Sequence, residues 1–264
     1  MFSFLNIFIL LNIFCLETVV ELTLYHKISQ NINKHIFKLY LGYLKMSYVL
    51  MKMLESAPHR YDKGINILTL GKLEKYYNRI VEQIKDTDKV LDIGCGTGFL
   101  SIKAAMKGAQ IIGFDINAEM LDIAKQRIKK MNYEDKIQFL EMGVAEMDKF
   151  EDDSFDVIMS GLCFSELSDD EIFYTLEESK RILKSNGILL LADEIRPTSI
   201  IKRILHLAIR IPLVIFTYLL TQTTSKAVKE LEEKVQRKNF EIISLRKNKL
   251  GNFVELVAKN KKDD

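Results

Sequence analysis

The stretch from Lys89 to Ile116 constrains this chain more than any other. It reads Lys-Val-Leu-Asp-Ile-Gly-Cys-Gly-Thr-Gly-Phe-Leu, then a short run of helical character, then Gln-Ile-Ile-Gly-Phe-Asp-Ile. An apolar strand closing on Asp92, a turn carrying Gly94, Gly96 and Gly98, and a second strand closing on Asp115 make a nucleoside-binding βαβ unit. Glycines in such a turn let the backbone approach a ligand with no Cβ in the way. A dinucleotide fingerprint puts its third glycine, or an alanine, three residues after the second. Here that position is Phe99, and the third glycine falls at Gly98. Asp92, just ahead of the turn, would repel a pyrophosphate and suits an ammonium group.

A βαβ unit commits the chain to parallel strands, and the rest of the sequence continues the alternation. Strands are expected near 89–93, 110–116, 137–142, 155–160 and 187–194, separated by helices near 98–107, 118–131 and 169–184. Gly108 and Gly187 stand where helix C-termini need them. Phe240–Lys247 and Asn252–Lys259 read as an antiparallel hairpin around Gly251, an ending that a simple dinucleotide domain lacks. Ser47 to Lys85 has apolar residues at helical spacing, broken at Pro58 and Gly64. The expected fold class is α/β: a Rossmann-like doubly wound sheet, mostly parallel, with a C-terminal antiparallel hairpin and an N-terminal helical cap.

With 264 residues, 48% of them apolar, there is room for one substantial core with additions at its ends. Thirty-eight basic against thirty-six acidic residues give a net charge of +2, too balanced to point to nucleic acid. Cys15, Cys95 and Cys163 are far apart, with no Cys-x-x-Cys pair, so neither a disulfide framework nor a zinc site is expected and a reducing cytoplasm fits. Residues 1–45 form an apolar extension biased to Asn, Ile, Phe, Leu, Lys and Tyr. Met1 to Leu16 carries no charge, yet Glu17 and Glu21 interrupt it before the roughly 20 residues a span needs. A short membrane anchor within 1–24 and an upstream addition to a domain that starts near Met46 both remain open. The expected division is 1–45 extension, 46–85 helical cap and 86–264 ligand-binding domain.

The turn resembles motif I of the class I S-adenosylmethionine-dependent methyltransferases, an acid followed by Gly-x-Gly-x-Gly. Asp115 matches the acid that ends their second strand and takes the two ribose hydroxyls. Tyr61-Asp62, followed by a helix and Gly71, is similar to the N-terminal segment of the ubiquinone and menaquinone C-methyltransferases, whose tyrosine caps the cofactor; a plain packing role is the other reading of Tyr61. The resemblance spans about residues 55–260. It implies S-adenosylmethionine as cofactor, cradled by Gly94, Cys95, Gly96 and Gly98, with Asp92 toward its ammonium, Ile116 packed on the adenine and Ala145 at the adenine edge. Ser160 joins this set by position, just beyond the fourth strand. One departure stands out: relatives carry Gly-Asp-Ala after the third strand, and this chain has Gly143-Val144-Ala145. The adenine contact of that aspartate is therefore missing or passed to Glu146.

Methyl transfer asks mainly for alignment and dryness, with a general base needed only for a protonated acceptor. Candidates for a base are Glu166, Asp193 and Glu194, all near strand ends, where solvated acids and helix caps are also common. Cys163, with no histidine nearby in sequence, reads as a small apolar pocket residue. His59 lies in the cap region, and His26, His35 and His206 look incidental. Ser199 to Thr221 is nearly all apolar, with Lys202, His206 and Arg210 sharing one helical face ahead of Pro212. A lid over an apolar substrate, a docking face and peripheral membrane contact compete for this insertion 199–221. Together with the segments 56–65, 160–167 and 193–197, it looks like the corrinoid protein-associated methyltransferases, which implies a corrinoid protein as partner. Two rivals stay open: a partner protein that binds the cofactor without turnover, and a nicotinamide dehydrogenase.

Overall fold

The computed structural model describes residues 71–197 and 227–262. The 1–45 extension, most of the 46–85 cap with Tyr61 and His59, and the 199–221 insertion lie outside the described residues.

Helix α1 (Leu73–Val81) buries Leu73, Tyr76, Tyr77, Ile80 and Val81, the single apolar stripe of an amphipathic helix. The parallel strands follow: β1 (Lys89–Ile93), β2 (Gln110–Asp115), β3 (Ile137–Glu141), β4 (Phe155–Gly161) and β5 (Leu183–Glu194). They are joined by α2 (Phe99–Ala105), α3 (Ala118–Met131), a short 3₁₀ helix (Val144–Lys149) and α4 (Asp169–Ile182). Helix α5 (Leu231–Arg237) then leads into β6 (Phe240–Lys247) and β7 (Phe253–Asn260).

Local chemistry sets the helix ends. Asn117 accepts the Met120 amide to start α3, and Asn132, in the left-handed region at φ 57°, ends it. Ser168 and Glu171 form a capping box at the start of α4. Gly108, at φ 101°, turns the chain after α2 as expected. Gly187 does not cap a helix. The left-handed residue there is Asn186, at φ 65°, and β5 already starts at Leu183, opposite Phe155. Gly187 is instead a close-approach position, since a Cβ on it would stand 2.9 Å from both Leu183 Cδ2 and the Lys184 carbonyl.

The strand order is β3-β2-β1-β4-β5-β7-β6, with β7 antiparallel to both of its neighbours. Side chains alternate across the sheet and divide the core in two. Val90, Ile111, Val157, Met159, Leu190 and Ala192 meet α1, α2 and α3 on one face. Leu91, Ile93, Ile158, Leu189 and Leu191 meet α4, α5 and the 3₁₀ helix on the other. Burial on both faces is why the parallel strands read as continuous apolar runs. Helix α1 is tied to the hairpin: Tyr76 stacks on Phe253 with ring centroids 4.4 Å apart, and Arg79 pairs with Glu255 of β7. The order of the chain reverses between β1 and β4, and Ile93 lies level with Phe114 on one side and Ser160 on the other. The ends of β1, β2 and β4 thus open a crevice at the switch point, where an open α/β sheet binds ligands.

Candidate functional site

The glycine turn follows β1 directly. Gly94, Gly96 and Gly98 hold φ of 64°, 52° and 74°, a run that L side chains rarely adopt. Space separates the three. A Cβ on Gly94 would stand 2.4 Å from Cys163 Sγ, and one on Gly98 would stand 2.8 Å from the Phe139 ring. On Gly96 it would meet only Met120 Cε, at 3.9 Å, so among the described residues this glycine faces open space. Gly94 and Gly98 are glycines because protein packs against them, whereas Gly96 leaves room for something else.

Two carboxylates flank the turn. Asp115 is half-buried; its Oδ2 accepts the Gly96 amide at 2.9 Å and its Oδ1 accepts the Asn117 amide at 2.9 Å. A carboxylate offers about four acceptor positions, so donors from a ligand can still be taken. Asp92 is buried, and Ser101 of α2 donates to its Oδ2, while Oδ1 has no hydrogen-bond partner among the described residues. Burial, with the Asp115 charge adding to it, pushes the Asp92 carboxyl up from 3.8 to about 7. A buried acid with an orphaned oxygen beside a glycine bend is built to receive a cation or a donor.

The other residues named from sequence fall into three groups. Ile116 is 74% exposed after β2, 3.3 Å from where a Cβ on Gly143 would stand, and Ala145 is exposed nearby on the 3₁₀ helix. An exposed isoleucine beside a loop with room is an apolar platform. Glu146 is committed to its own loop, accepting the Gly143 amide at 3.0 Å and pairing with Lys149. Cys95 turns its side chain into the core against Gly113, so only its backbone can serve a ligand in the turn. Burial pushes its thiol well up.

On the β4 and β5 side, Ser160 is buried and donates to the Ile93 carbonyl at 3.0 Å, tying β4 to β1; its hydroxyl is thereby used. Asp193 is buried too, with Oδ2 accepting the Phe164 amide at 2.8 Å, Oδ1 accepting the Glu194 amide at 2.7 Å, and Ser165 bonded to the carboxylate. It anchors the loop after β4 rather than meeting a substrate. That loop holds Leu162 at φ 63° and places half-buried Cys163 against Gly94. Glu166 is exposed on the same loop, and Glu194 is half-buried where β5 ends. Of the three candidate bases, Glu166 is the exposed one.

Cys163, expected as a small pocket residue, lies against Gly94. Three residues at the site had no part in the sequence argument: Ser101 serves Asp92, Arg127 of α3 donates to the Thr97 carbonyl and hydroxyl, and Tyr77 of α1 lies where a Cβ on Gly161 would be. Ser101 left one signal, a small polar residue on the buried stripe of α2. The others arise from contacts between distant segments.

Comparisons with known proteins bear on the fold and the family of this domain. Residues 90–187 match the family model described as a methyltransferase domain. The demethylmenaquinone methyltransferase of Lactobacillus johnsonii is 33% identical over 150 residues, 54% of this chain and 59% of that protein. The ubiquinone/menaquinone biosynthesis C-methyltransferase UbiE of Bartonella tribocorum is 35% identical over 139 residues, 50% and 52% of the two. The chain spans about three fifths of the length of the first curated relatives it matches. Among solved structures, an S-adenosylmethionine-dependent methyltransferase from Methanosarcina mazei superposes with a TM-score of 0.54 at 22% identity, covering 68% of this chain and 95% of that one. Geranyl diphosphate C-methyltransferase from Streptomyces coelicolor gives 0.54 at 13% identity, covering 76% and 84%. At these identities the structural likeness speaks for the fold.

Proposed function

We propose that this chain, which carries a class I methyltransferase domain, is an S-adenosylmethionine-dependent methyltransferase acting on a small, apolar acceptor. The observation that carries the reading is the pair of acids on one glycine bend. Asp92 offers a buried carboxylate oxygen, unpartnered among the described residues, for an ammonium, and Asp115 offers a carboxylate already oriented by the Gly96 amide for vicinal hydroxyls. Gly96 supplies the open backbone between them, and Ile116 the apolar platform for a purine.

S-adenosylmethionine bound there supplies a methyl group on a positively charged sulfur, a leaving group that needs no further activation. The protein's share is placement. Asp92 would hold the ammonium of the cofactor and Asp115 its ribose hydroxyls, and the loop from Leu162 to Leu167, clamped by Asp193, brings Cys163 up to the turn as an apolar wall. That wall excludes water and sets the line of approach, gains that belong to proximity and orientation. Glu166, exposed on the same loop, would take a proton from an acceptor that arrives protonated.

The acceptor class rests on the names of the relatives, demethylmenaquinone methyltransferases and a ubiquinone/menaquinone biosynthesis C-methyltransferase. A corrinoid protein as partner, and membrane contact through 199–221 or 1–24, rest on the sequence alone. No helix among the described residues is long and apolar enough to cross a membrane. The deciding experiment is transfer of label from methyl-tritiated S-adenosylmethionine into fractionated extract. Label in the lipid or small-molecule fraction supports the proposal, and label in protein would redirect it. Binding with no S-adenosylhomocysteine formed would favour a non-catalytic partner of a methyl-transfer complex.

A further inference from the structure

We propose that Arg127 is a positioning residue for the methyl donor: from α3 it latches the glycine turn, and cofactor affinity depends on that latch. The inference rests on the S-adenosylmethionine reading above.

Helix α3 lays one stripe of side chains along the turn. Met120 reaches to 3.9 Å from the Cβ position of Gly96, and Ala124 Cβ stands 3.1 Å from that of Gly98. Arg127 Nη1 donates to Thr97 Oγ1 at 2.9 Å and to the Thr97 carbonyl at 3.1 Å. Positions 120, 124 and 127 follow the i, i+4, i+7 spacing that puts side chains on one helical face. The first two supply shape alone, with no directional bond.

The third fixes an orientation. The Thr97 carbonyl and the Gly98 amide belong to one planar peptide unit. Arg127 holds its oxygen, and the Cys95 carbonyl accepts its N–H at 2.9 Å, so the plane is gripped from both ends. A turn with three glycines in five residues has much conformational freedom to lose, and only the side chains of Cys95 and Thr97 to limit it. Ties from outside must do so before a ligand arrives, and each one that fails lowers the fraction of molecules with the turn already formed. Guanidinium donors make charge-assisted bonds, and the Thr97 end of this one is buried, with Thr97 at 2% exposure. Helix α3 also begins where the Asp115 carboxylate accepts the Asn117 amide, so one rigid element carries the latch and meets the ribose acid.

The test is calorimetric titration of the full chain with S-adenosylhomocysteine, alongside thermal unfolding of each variant without ligand. Arg127→Met should weaken binding about tenfold, as expected if the formed turn drops to about a tenth of the population. Arg127→Lys, which keeps a donor and loses the fork, should fall between it and the parent. Thr97→Val removes the hydroxyl from the other side, and adding Arg127→Met to it should cost less than in the parent. Should Arg127→Met be too unstable to titrate, the Lys and Val variants carry the same expectation. A lowered melting temperature with affinity unchanged would reduce Arg127 to a structural contact and overturn the proposal. A parent protein that binds no S-adenosylhomocysteine would instead overturn the function it rests on.

Discussion

Asp193, near the end of β5, accepts the backbone amide of Phe164 across 2.8 Å and so holds the loop after β4 in place. The Glu194 amide and Ser165 share the same carboxylate. One buried acid thus sets the loop from which Cys163 meets the glycine turn. Asp193→Ala strands the Phe164 amide without its acceptor, a loss of about 1–3 kcal/mol. Urea unfolding checks this, and a variant as stable as the parent would mean the loop is held by other contacts.

Asp92 and Asp193 are both pushed up by burial to about 7 from 3.8. A carboxyl raised on folding keeps a proton that the unfolded chain has already released. Its stabilisation is therefore complete below about pH 4 and is lost as pH rises to about 7. Urea midpoints should fall between about pH 5 and 7, and Asp92→Asn, which cannot ionise, should flatten the fall.

Ligand binding should run the other way. An ammonium needs Asp92 ionised, so S-adenosylmethionine affinity should rise as pH climbs from about 5.5 toward 7, with release of a proton. Calorimetry in buffers of different ionisation heat reads that proton directly. Affinity independent of pH over this range, in a protein that binds, would place the ammonium away from Asp92.

Asp115→Ala removes the acceptor for the Gly96 and Asn117 amides together with the proposed ribose contact. Hydrogen bonds to a charged group contribute about 1.5–3 kcal/mol, so cofactor affinity should drop at least about tenfold. Titration with S-adenosylhomocysteine measures it, and unchanged affinity would mean the sugar lies elsewhere.

Gly94→Ala and Gly96→Ala should separate packing from binding. At Gly94 the new methyl collides with Cys163, so the variant should be strongly destabilised. At Gly96 it meets nothing closer than 3.9 Å, so only the left-handed penalty of about 1–2 kcal/mol applies. Cofactor affinity should nevertheless fall, because the methyl occupies the side left open. Thermal unfolding and titration of the pair check both halves.

Local order was legible from residues alone. The apolar runs at β1 to β5, the acids Asp92 and Asp115 at the ends of the first two strands, and the closing hairpin all follow from interactions within a few residues or from burial on both sheet faces. The exception, Gly187, shows the limit: a glycine near a helix end reads as a cap, and only the approach of Leu183 and Lys184 reveals it as a spacing constraint.

By itself, the sequence determined that a glycine bend follows an acid at the end of one parallel strand and that a second acid ends the next, because the spacing of Asp92, Gly94, Gly96 and Gly98, and the position of Asp115 at the close of one βαβ unit, are properties of a short stretch of chain. Only the tertiary structure decided how those groups are used. It turned Cys95 inward, spent Ser160 on β1 and Asp193 on the Phe164 loop, and left one Asp92 oxygen without a partner among the described residues. Whether a buried polar group is occupied or free depends on which partner is brought within about 3 Å, and those partners come from far along the chain.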